Sequence, residues 1–212
     1  MFLAINGLKV VFMRNAKNKK NNNLAKLIYE AGQLKRVART GWWAAGIKFP
    51  ESVAEHSWRA AVIGYFLGKK AGVNAERVAI MCLFHDLPEA RVNDTHKIQQ
   101  RYFDPRPAEE KAFEEQTETL PKEVKDDLRM LVKECEEKIG EEGMLAKDAD
   151  MLECAFQARE YELDGFQATG EWTDRIGKLL RTKEGKELFR EMLKTSPSEW
   201  WHGLKKPVEE DI

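Results

Sequence analysis

Apolar residues recur at the three- and four-residue spacing of a helix along most of the chain. The first such run contains Leu24, Leu27, Ile28, Ala31 and Leu34, and it predicts a helix that ends near basic residues, which suit the negative pole of the helix dipole. No segment shows the strict alternation of apolar and polar residues that a half-buried strand requires. The pattern therefore predicts an all-α fold.

A second helix is marked at both of its ends. Ser52 and Glu55 have the spacing of a capping box at the start of a helix, and Gly72 is typical of the residue that follows the end of one. Apolar residues continue at helical spacing between these two points. The predicted helix places His56 within its first turns.

The third helix is apolar on nearly every side, which indicates a buried central position. Asn74 can cap its start, and His85 and Asp86 stand at its end. Pro88 lacks a backbone donor and disfavours helical geometry at the residue before it, so we expect the chain to bend or restart there. The polar residues 93–107 then follow soon after the His-Asp pair.

The rest of the chain divides into an ordered loop and further helices. Residues 38–50 contain Gly41, Gly46, Pro50 and two adjacent tryptophans, a mixture that fits neither helix nor strand periodicity. Further helices are predicted at residues 108–120, 122–138, 144–163, 173–180 and 183–194.

Length and composition favour a single globular unit. A chain of 212 residues with 42% hydrophobic residues is long enough to bury one substantial core. We expect one domain at residues 24–195, with extra helices at its C-terminal end, between a flexible extension at residues 1–23 and a tail at residues 196–212. The 3 cysteines form no CxxC arrangement, which favours a reducing cytoplasm.

Charge and hydropathy exclude two classes of partner. The chain contains 35 Lys and Arg residues against 36 Asp and Glu residues, so no net field attracts it to a nucleic acid polymer or an anionic membrane. No apolar segment is long enough to span a membrane. An anionic substrate must therefore be recognised by a local site.

The pair His85 and Asp86 is the first candidate for chemistry. A histidine and an aspartate at the end of an apolar helix are costly to bury without a partner. The alternative is a core histidine with a satisfied hydrogen bond, which is the usual role of a histidine on an apolar face. His56 and Asp150 are further polar residues among apolar neighbours. Imidazoles and carboxylates together suit a first-row divalent metal ion.

Asp150 also has an alternative role, as a carboxylate bound to a helix terminus or to a lysine such as Lys147. We adopt that role for Asp148, which is the nearby acidic residue in the same predicted helix. The two remaining histidines, His96 and His202, lie apart from these motifs in the sequence. We therefore expect a centre with one metal ion rather than a dinuclear site.

Four segments, taken in order, resemble the 5'-deoxynucleotidase branch of the HD-domain phosphohydrolase superfamily. They read RTGWW, ESVAEHSWRAAV, FHDLPEARVND and KDADMLECA, and the resemblance covers residues 24–163. It implies an α-helical domain, a homodimer, and removal of the 5'-phosphate from deoxyribonucleoside monophosphates. It also implies one divalent cation, for which Mn, Co, Mg, Ni, Fe and Zn are all candidates.

The resemblance assigns roles to individual residues. It implies four metal ligands, which are His56, His85, Asp86 and Asp150. Glu89 falls at the position of the acid/base residue, Asp94 at that of a sugar contact, and Trp42 where an aromatic residue helps to reject the 2'-hydroxyl of ribonucleotides. A phosphate-binding arginine is expected immediately before that tryptophan, but here the nearest candidate is Arg39. This departure leaves the phosphate contact open.

Other interpretations remain open. Glu89 follows Pro88, so its role can be limited to favouring the dipole of a short new helix. The substrate can be another phosphoester, such as a cyclic nucleotide or a nucleoside triphosphate. From a different class, a non-catalytic metal or nucleotide sensor can be built from the same four ligands. A sensor needs neither Glu89 nor Asp94, which argues against that interpretation.

Overall fold

The computed structural model describes residues 24–204, which fold into nine α-helices without a β-strand. The helices are α1 (Leu24–Ala31), α2 (Val53–Ala71), α3 (Ala75–Phe84), α4 (Glu89–Val92), α5 (Arg106–Gln116), α6 (Lys122–Glu137), α7 (Gly140–Leu163), α8 (Gly170–Leu179) and α9 (Lys183–Lys194). Short 3-10 helices lie at Gly32–Arg36, Thr40–Ala45, Gln99–Arg101, Gln167–Thr169 and Glu199–Trp201. The all-α prediction is confirmed.

The domain boundaries inferred from the sequence stay a prediction. The expected extension at residues 1–23 lies outside the described residues, and so do residues 205–212 of the expected tail. Within the described range, Ala38 and Ser52 form an isolated antiparallel bridge. This bridge closes the loop that the sequence pattern left without regular structure.

The core lies where α2, α3 and α7 pack against one another. Met81 and Cys82 of α3 and Leu145 and Leu152 of α7 are fully buried there. α7 is enclosed on several sides because α6, α8 and α9 also pack against it. Polar residues of α7 are therefore buried together with its apolar ones.

The connection between α2 and α3 follows the sequence pattern closely. The Ser52 hydroxyl accepts from the Glu55 backbone N–H at 3.2 Å, and the Glu55 carboxylate accepts from the Ser52 N–H at 2.6 Å. Gly72 ends α2 with a φ of 79°, in the left-handed region that favours glycine. The Asn74 side chain then accepts from the Arg77 N–H at 3.0 Å and caps α3. The predicted ends are confirmed at these positions.

α7 begins earlier than the sequence pattern predicts. The predicted start is residue 144, whereas the helix begins at Gly140. Gly143 lies against the backbone carbonyl of Glu134 in α6, where an added Cβ has no room. Gly143, which lies between the predicted helices 122–138 and 144–163, is thus part of α7 and permits the close approach of α6 and α7.

One apolar face of α2 is exposed. Trp58, Val62, Tyr65 and Phe66 follow one another at helical spacing, and their exposed fractions range from 36% to 64%. We call these four residues the α2 apolar face. The periodicity predicts the helix but does not show which of its apolar residues the core covers. Neither α2 nor any other helix within residues 24–204 has the length and apolar content needed to cross a bilayer.

The side chain of Asp148, in α7, binds the N-terminal end of α9 by hydrogen bonds. Its carboxylate is 1% exposed and accepts from the backbone N–H groups of Arg181 at 3.1 Å and of Thr182 at 2.7 Å. It also accepts from the Thr182 hydroxyl at 2.6 Å, while that hydroxyl caps α9 through the Gly185 N–H at 3.0 Å. The prediction that Asp148 binds a helix terminus is confirmed.

Replacing Asp148 by alanine is expected to lower the free energy of unfolding by about 2 to 3 kcal/mol, because several buried donors lose their acceptor. Asp174→Ala removes an exposed carboxylate on α8 and is the matched control. It should change the free energy by less than about 0.5 kcal/mol. Chemical denaturation followed by circular dichroism measures both variants. Equal effects would show that Asp148 does not hold α9 in place.

Candidate metal centre

Three helices deliver polar side chains to one buried point. His56 lies near the start of α2, His85 directly follows α3, and Asp150 lies in the middle of α7. Asp86 follows His85 and reaches the same point. His56 is 0% exposed and His85 is 5% exposed, so the core covers both imidazoles almost completely.

Four atoms face one another at this point, and we call their residues the four-residue cluster. His56 Nε2 lies 3.1 Å from Asp150 Oδ1 and 3.7 Å from Asp86 Oδ2. His85 Nε2 lies 3.2 Å from Asp86 Oδ2 and 3.6 Å from Asp150 Oδ1. Two ligands that are each about 2.1 Å from one first-row metal ion lie about 3.0 to 3.4 Å apart. The observed spacing therefore suits a shared metal ion.

Two atoms of the cluster are buried without a hydrogen-bond partner in the described part of the chain, namely His85 Nε2 and Asp86 Oδ2. The other ring nitrogen of His85 donates to the Cys82 carbonyl oxygen at 2.8 Å, so in the neutral form of the ring Nε2 carries the lone pair. Two buried acceptors that face each other without a donor are unfavourable. A cation between them satisfies both, and the cluster therefore fits a divalent metal ion.

The carboxylates of Asp86 and Asp150, which are 14% and 13% exposed, make the cluster attractive to positive charge. Burial lowers the pKa of His85, but the charges of Asp86 and Asp150 reverse this effect and raise the pKa above its ordinary value. Burial would raise the pKa of Asp150, whereas Lys147 and the two imidazoles hold it well below its ordinary value. Asp150 is therefore an anionic carboxylate, as a metal ligand must be.

The two oxygens of Asp150 have different partners. Oδ1 faces the imidazoles, while Oδ2 lies 2.8 Å from Nζ of Lys147. Lys147 also contacts Glu136 at 3.1 Å, nearer the surface. The alternative role considered for Asp150, an ion pair with Lys147, is thus present beside the metal-facing oxygen and does not replace it.

Arg39 and Asp94 lie next to the cluster as an ion pair. Nη1 of Arg39 is 2.9 Å from Asp94 Oδ1 and 3.6 Å from Asp86 Oδ2. Thr40 donates from its backbone N–H and from its hydroxyl to Asp94 Oδ2, both at 2.7 Å. Nη2 of Arg39 donates to Cys154 Sγ at 3.2 Å. The structure brings both predicted residues to the cluster and binds each of them to the other.

Glu89 begins α4 beside the cluster. Its side chain is 8% exposed, and its Oε2 has no hydrogen-bond partner among residues 24–204. Burial and the negative charge of Asp86 raise the pKa of Glu89 well above its ordinary value, although Arg39 opposes them. The first position of α4 also allows the dipole interaction considered from the sequence. That interaction does not account for a buried oxygen without a partner.

Trp42 lies in an aromatic group behind the cluster. Its side chain is 3% exposed, and its ring centroid is 5.3 Å from that of Tyr161 and 5.5 Å from that of Trp172. Its indole N–H donates to Glu51 Oε1 at 3.0 Å, and burial raises the pKa of Glu51 to about 7. A carboxylate oxygen of Glu51 lies within 4.8 Å of a ring nitrogen of His56. Trp42 is therefore linked to the cluster indirectly, by its hydrogen bond to Glu51. Its buried ring does not form an exposed wall of the site.

Sequence reasoning did not identify two charged residues beside the cluster. Glu153 accepts a hydrogen bond from Nδ1 of His56, and Arg59 pairs with Glu153. Each lies three residues from a member of the cluster on the same helix, which places it on the same helix face. A charged residue at that spacing among apolar neighbours was the available signal.

The groups of potential metal ligands found among the described residues all share His56. They are His56 with His85 and Asp86, His56 with Asp150 and Cys154, and Glu51 with His56 and Glu153. The described part of the chain therefore offers one candidate centre.

Comparison with known proteins identifies the family. The sequence profile of the family described as "HD domain" matches residues 31–192 of the chain. This match spans more than half of the 212 residues. The chain therefore belongs to the HD domain family.

Relatives within the family carry a common name. The protein 5'-deoxynucleotidase HDDC2 of Bos taurus is 35% identical over 146 residues, which cover 66% of this chain and 68% of the relative. The Homo sapiens protein of the same name is 34% identical over 146 residues, covering 66% of this chain and 69% of the relative. The predicted resemblance to the 5'-deoxynucleotidase branch is confirmed.

A solved structure shares the fold. A conserved hypothetical protein from Pyrococcus furiosus is 34% identical in sequence and superimposes with a TM-score of 0.68. The superposition covers 81% of this chain and 99% of that chain. The solved protein thus has the same helical arrangement over nearly the whole of its own length.

Proposed function

We propose that this chain is a metal-dependent phosphomonoesterase that hydrolyses nucleoside 5'-monophosphates, deoxyribonucleotides above all, to a nucleoside and phosphate. The observation that carries the proposal is the four-residue cluster, in which two buried atoms without partners face two further potential ligands. The name of the relatives, 5'-deoxynucleotidase, supports the reaction and the substrate class.

One divalent ion is proposed as the cofactor, held by His56, His85, Asp86 and Asp150. Two imidazoles and two carboxylates suit Mn, Co, Ni, Fe and Zn, and they tolerate Mg. When bound, such an ion polarises a phosphoryl oxygen and lowers the pKa of a bound water. The unpartnered Nε2 of His85 and Oδ2 of Asp86 support this assignment.

Glu89 is proposed as the residue that moves the proton. Hydrolysis of a phosphate monoester requires that a proton leave the attacking water and that one reach the 5'-oxygen of the departing nucleoside. Glu89 Oε2 is buried and has no partner in the described residues, and it lies close enough to Asp86 and Arg39 to respond to their charges. It is therefore available to take up a proton and return it.

Arg39 and Asp94 are proposed to bind the phosphate and the sugar. A carboxylate has about four acceptor positions, and Asp94 uses three of them for Arg39 and Thr40. The remaining position is available to a sugar hydroxyl. Asp94 also fixes the guanidinium of Arg39 beside Asp86, where it can pair with a phosphate that the nearly neutral chain does not attract from a distance.

Trp42 is proposed to enforce the preference for deoxyribose from behind the site. Its buried ring and its hydrogen bond to Glu51 fix the position of the 3-10 helix Thr40–Ala45. The first residue of this helix, Thr40, is the one that donates to Asp94. A turn that is held by a packed indole cannot retreat to admit a 2'-hydroxyl. The discrimination would then come from shape rather than from a direct polar contact.

Metal-stripped protein is expected to be inactive and to release phosphate from deoxyribonucleoside 5'-monophosphates once a divalent ion is restored, because no other group in the cluster activates water. The measurement is phosphate release, together with chromatography of the nucleotides and nucleosides, with Mn, Co, Mg and Zn supplied separately. Chromatography is needed because hydrolysis of a cyclic nucleotide to a monophosphate releases no phosphate. The substrates are deoxy- and ribonucleoside 5'-monophosphates, 3'-monophosphates, triphosphates and cyclic nucleotides. Turnover of triphosphates or cyclic nucleotides alone would assign another phosphoester, and metal binding without any turnover would favour the sensor.

Glu89→Gln is expected to lower kcat by about 10²- to 10⁴-fold with wild-type metal content, because an amide cannot accept the proton. Turnover and metal content are measured on the same preparation. Glu110→Gln, at an exposed position of α5, is the matched control and should keep both. Unchanged turnover of the Glu89 variant would remove this residue from the mechanism.

We also propose a homodimer in a reducing cytoplasm. The α2 apolar face offers four large exposed side chains on one helix, which is the composition expected at the centre of a subunit interface.

The three cysteines, Cys82, Cys135 and Cys154, are all free thiols, as expected in a reducing compartment.

Phe66→Glu is expected to shift the protein from dimer to monomer at micromolar concentration, because it places a charge in the α2 apolar face. Size-exclusion chromatography with light scattering measures the mass. Tyr29→Glu changes an exposed aromatic residue of α1 outside that face and should leave the mass unchanged. A wild-type protein that is already monomeric would contradict the proposal.

A further inference from the structure

We infer that Glu153 and Arg59 form a positioning unit that selects and holds the metal-binding tautomer of His56. The inference rests on the proposed metal centre and goes beyond it, because neither residue belongs to the four-residue cluster. Glu153 acts through His56, and Arg59 acts through Glu153.

The unit connects α2 to α7 through a chain of hydrogen bonds. Nδ1 of His56 donates to Oε2 of Glu153, whose side chain is 0% exposed. Oε1 of Glu153 accepts from Nε of Arg59 at 2.9 Å and lies 2.7 Å from Nη2 of the same guanidinium. Arg59 continues outward to Gln157 at 2.7 Å and to both oxygens of Glu160 at 2.7 and 2.8 Å.

Helical spacing assembles this chain of contacts. His56 and Arg59 are three residues apart on α2, while Glu153, Gln157 and Glu160 are four and then three residues apart on α7. Each set therefore lies on one helix face, and the two faces meet along the contact between α2 and α7. The unit is a continuous row of polar contacts that runs from the surface to His56, and we call this row the polar seam.

The tautomer of His56 decides whether this residue can bind a metal. A neutral imidazole has one N–H and one lone pair. Because a carboxylate only accepts hydrogen bonds, Glu153 requires the proton at Nδ1 and leaves the lone pair at Nε2, which faces Asp86 and Asp150. Water cannot take this role, since His56 is fully buried.

The carboxylate of Glu153 is 0% exposed, and its Oε1 lies 2.7 Å from the guanidinium of Arg59. The side chain of Arg59 is 24% exposed and also pairs with Glu160 at the surface. Arg59 therefore compensates the buried carboxylate and leaves no isolated charge in the core.

Glu153→Gln tests the inference in the full-length protein. The amide oxygen can accept from His56 or from Arg59, but the amide N–H groups must then face the other of the two. We expect the affinity of the metal-stripped protein for Co(II) to fall about 10- to 100-fold, with an altered visible absorption spectrum of bound Co(II). Competition with a chromogenic chelator measures the affinity and requires no turnover.

A second measurement reports the tautomer itself. The chain has only 4 histidines, so ¹⁵N-labelled histidine gives a simple spectrum, in which His56 is assigned by substitution. In the Zn-loaded wild-type protein we expect a protonated Nδ1 and a metal-bound Nε2 at His56. In Glu153→Gln we expect this pattern to be lost or mixed.

Glu160→Gln is the matched control, because it removes an outer partner of Arg59 but leaves the bond between Glu153 and His56. Its Co(II) affinity and spectrum should stay near those of the wild type. Where Glu153→Gln fails to fold, Arg59→Lys provides the second variant, since lysine keeps the charge but lacks the planar fork. It should weaken Co(II) binding relative to the wild type, and by more than Glu160→Gln does; a wild-type affinity in Arg59→Lys would contradict the inference.

A folded Glu153→Gln variant with wild-type Co(II) affinity and spectrum would overturn the inference. So would equal losses in Glu153→Gln and Glu160→Gln, because a general loosening of the seam would then explain both. The proposed function is tested separately by phosphate release from the wild-type protein. A wild type without turnover would overturn that function and leave the metal-binding result for Glu153 intact.

Discussion

The structure depends on the complete burial of His56 between α2 and α7. An imidazole that is cut off from water needs a partner at each ring nitrogen, and α7 supplies both of them. Glu153 accepts a hydrogen bond from Nδ1–H, while Asp150 lies on the side of Nε2. The packing of α2 against α7 and the placement of the candidate ligands therefore depend on the same contacts.

The two histidines of the cluster are oriented by different means. His56 depends on a side-chain carboxylate from another helix, whereas His85 depends on the backbone of its own helix. α3 ends at Phe84, before Pro88, and the carbonyl of Cys82 in its last turn is free to accept from His85 Nδ1. The end of a helix thus supplies the acceptor that a second carboxylate would otherwise have to provide.

The sequence predicted those parts of the fold that depend on local chemistry. Capping by Ser52 and Asn74 and the end of α2 at Gly72 depend on residues within one turn, and all three agree with the structure. The start of α7 could not be predicted in this way, because Gly143 is required by the backbone of α6 rather than by a turn of its own. Long-range contacts of this kind leave no local pattern.

The candidate site was also predicted unevenly. The four potential ligands stand in recognisable motifs, and the structure brings them together. Glu153 and Arg59 were not identified, because charged residues on helices are usually solvated and nothing in the sequence shows which helix faces meet. The same uncertainty hid the exposure of Trp58 and Phe66, whose apolar character is typical of a core.

The short stretch of α7 at residues 148–154 faces in several directions at once. Asp148 holds the start of α9, Asp150 faces the imidazoles, Glu153 orients His56, and Cys154 contacts Arg39. One inserted or deleted residue would turn everything beyond it by about 100° and separate these contacts from one another. The chain can exchange individual side chains along this stretch, but the number of residues in it is fixed by the geometry of the helix.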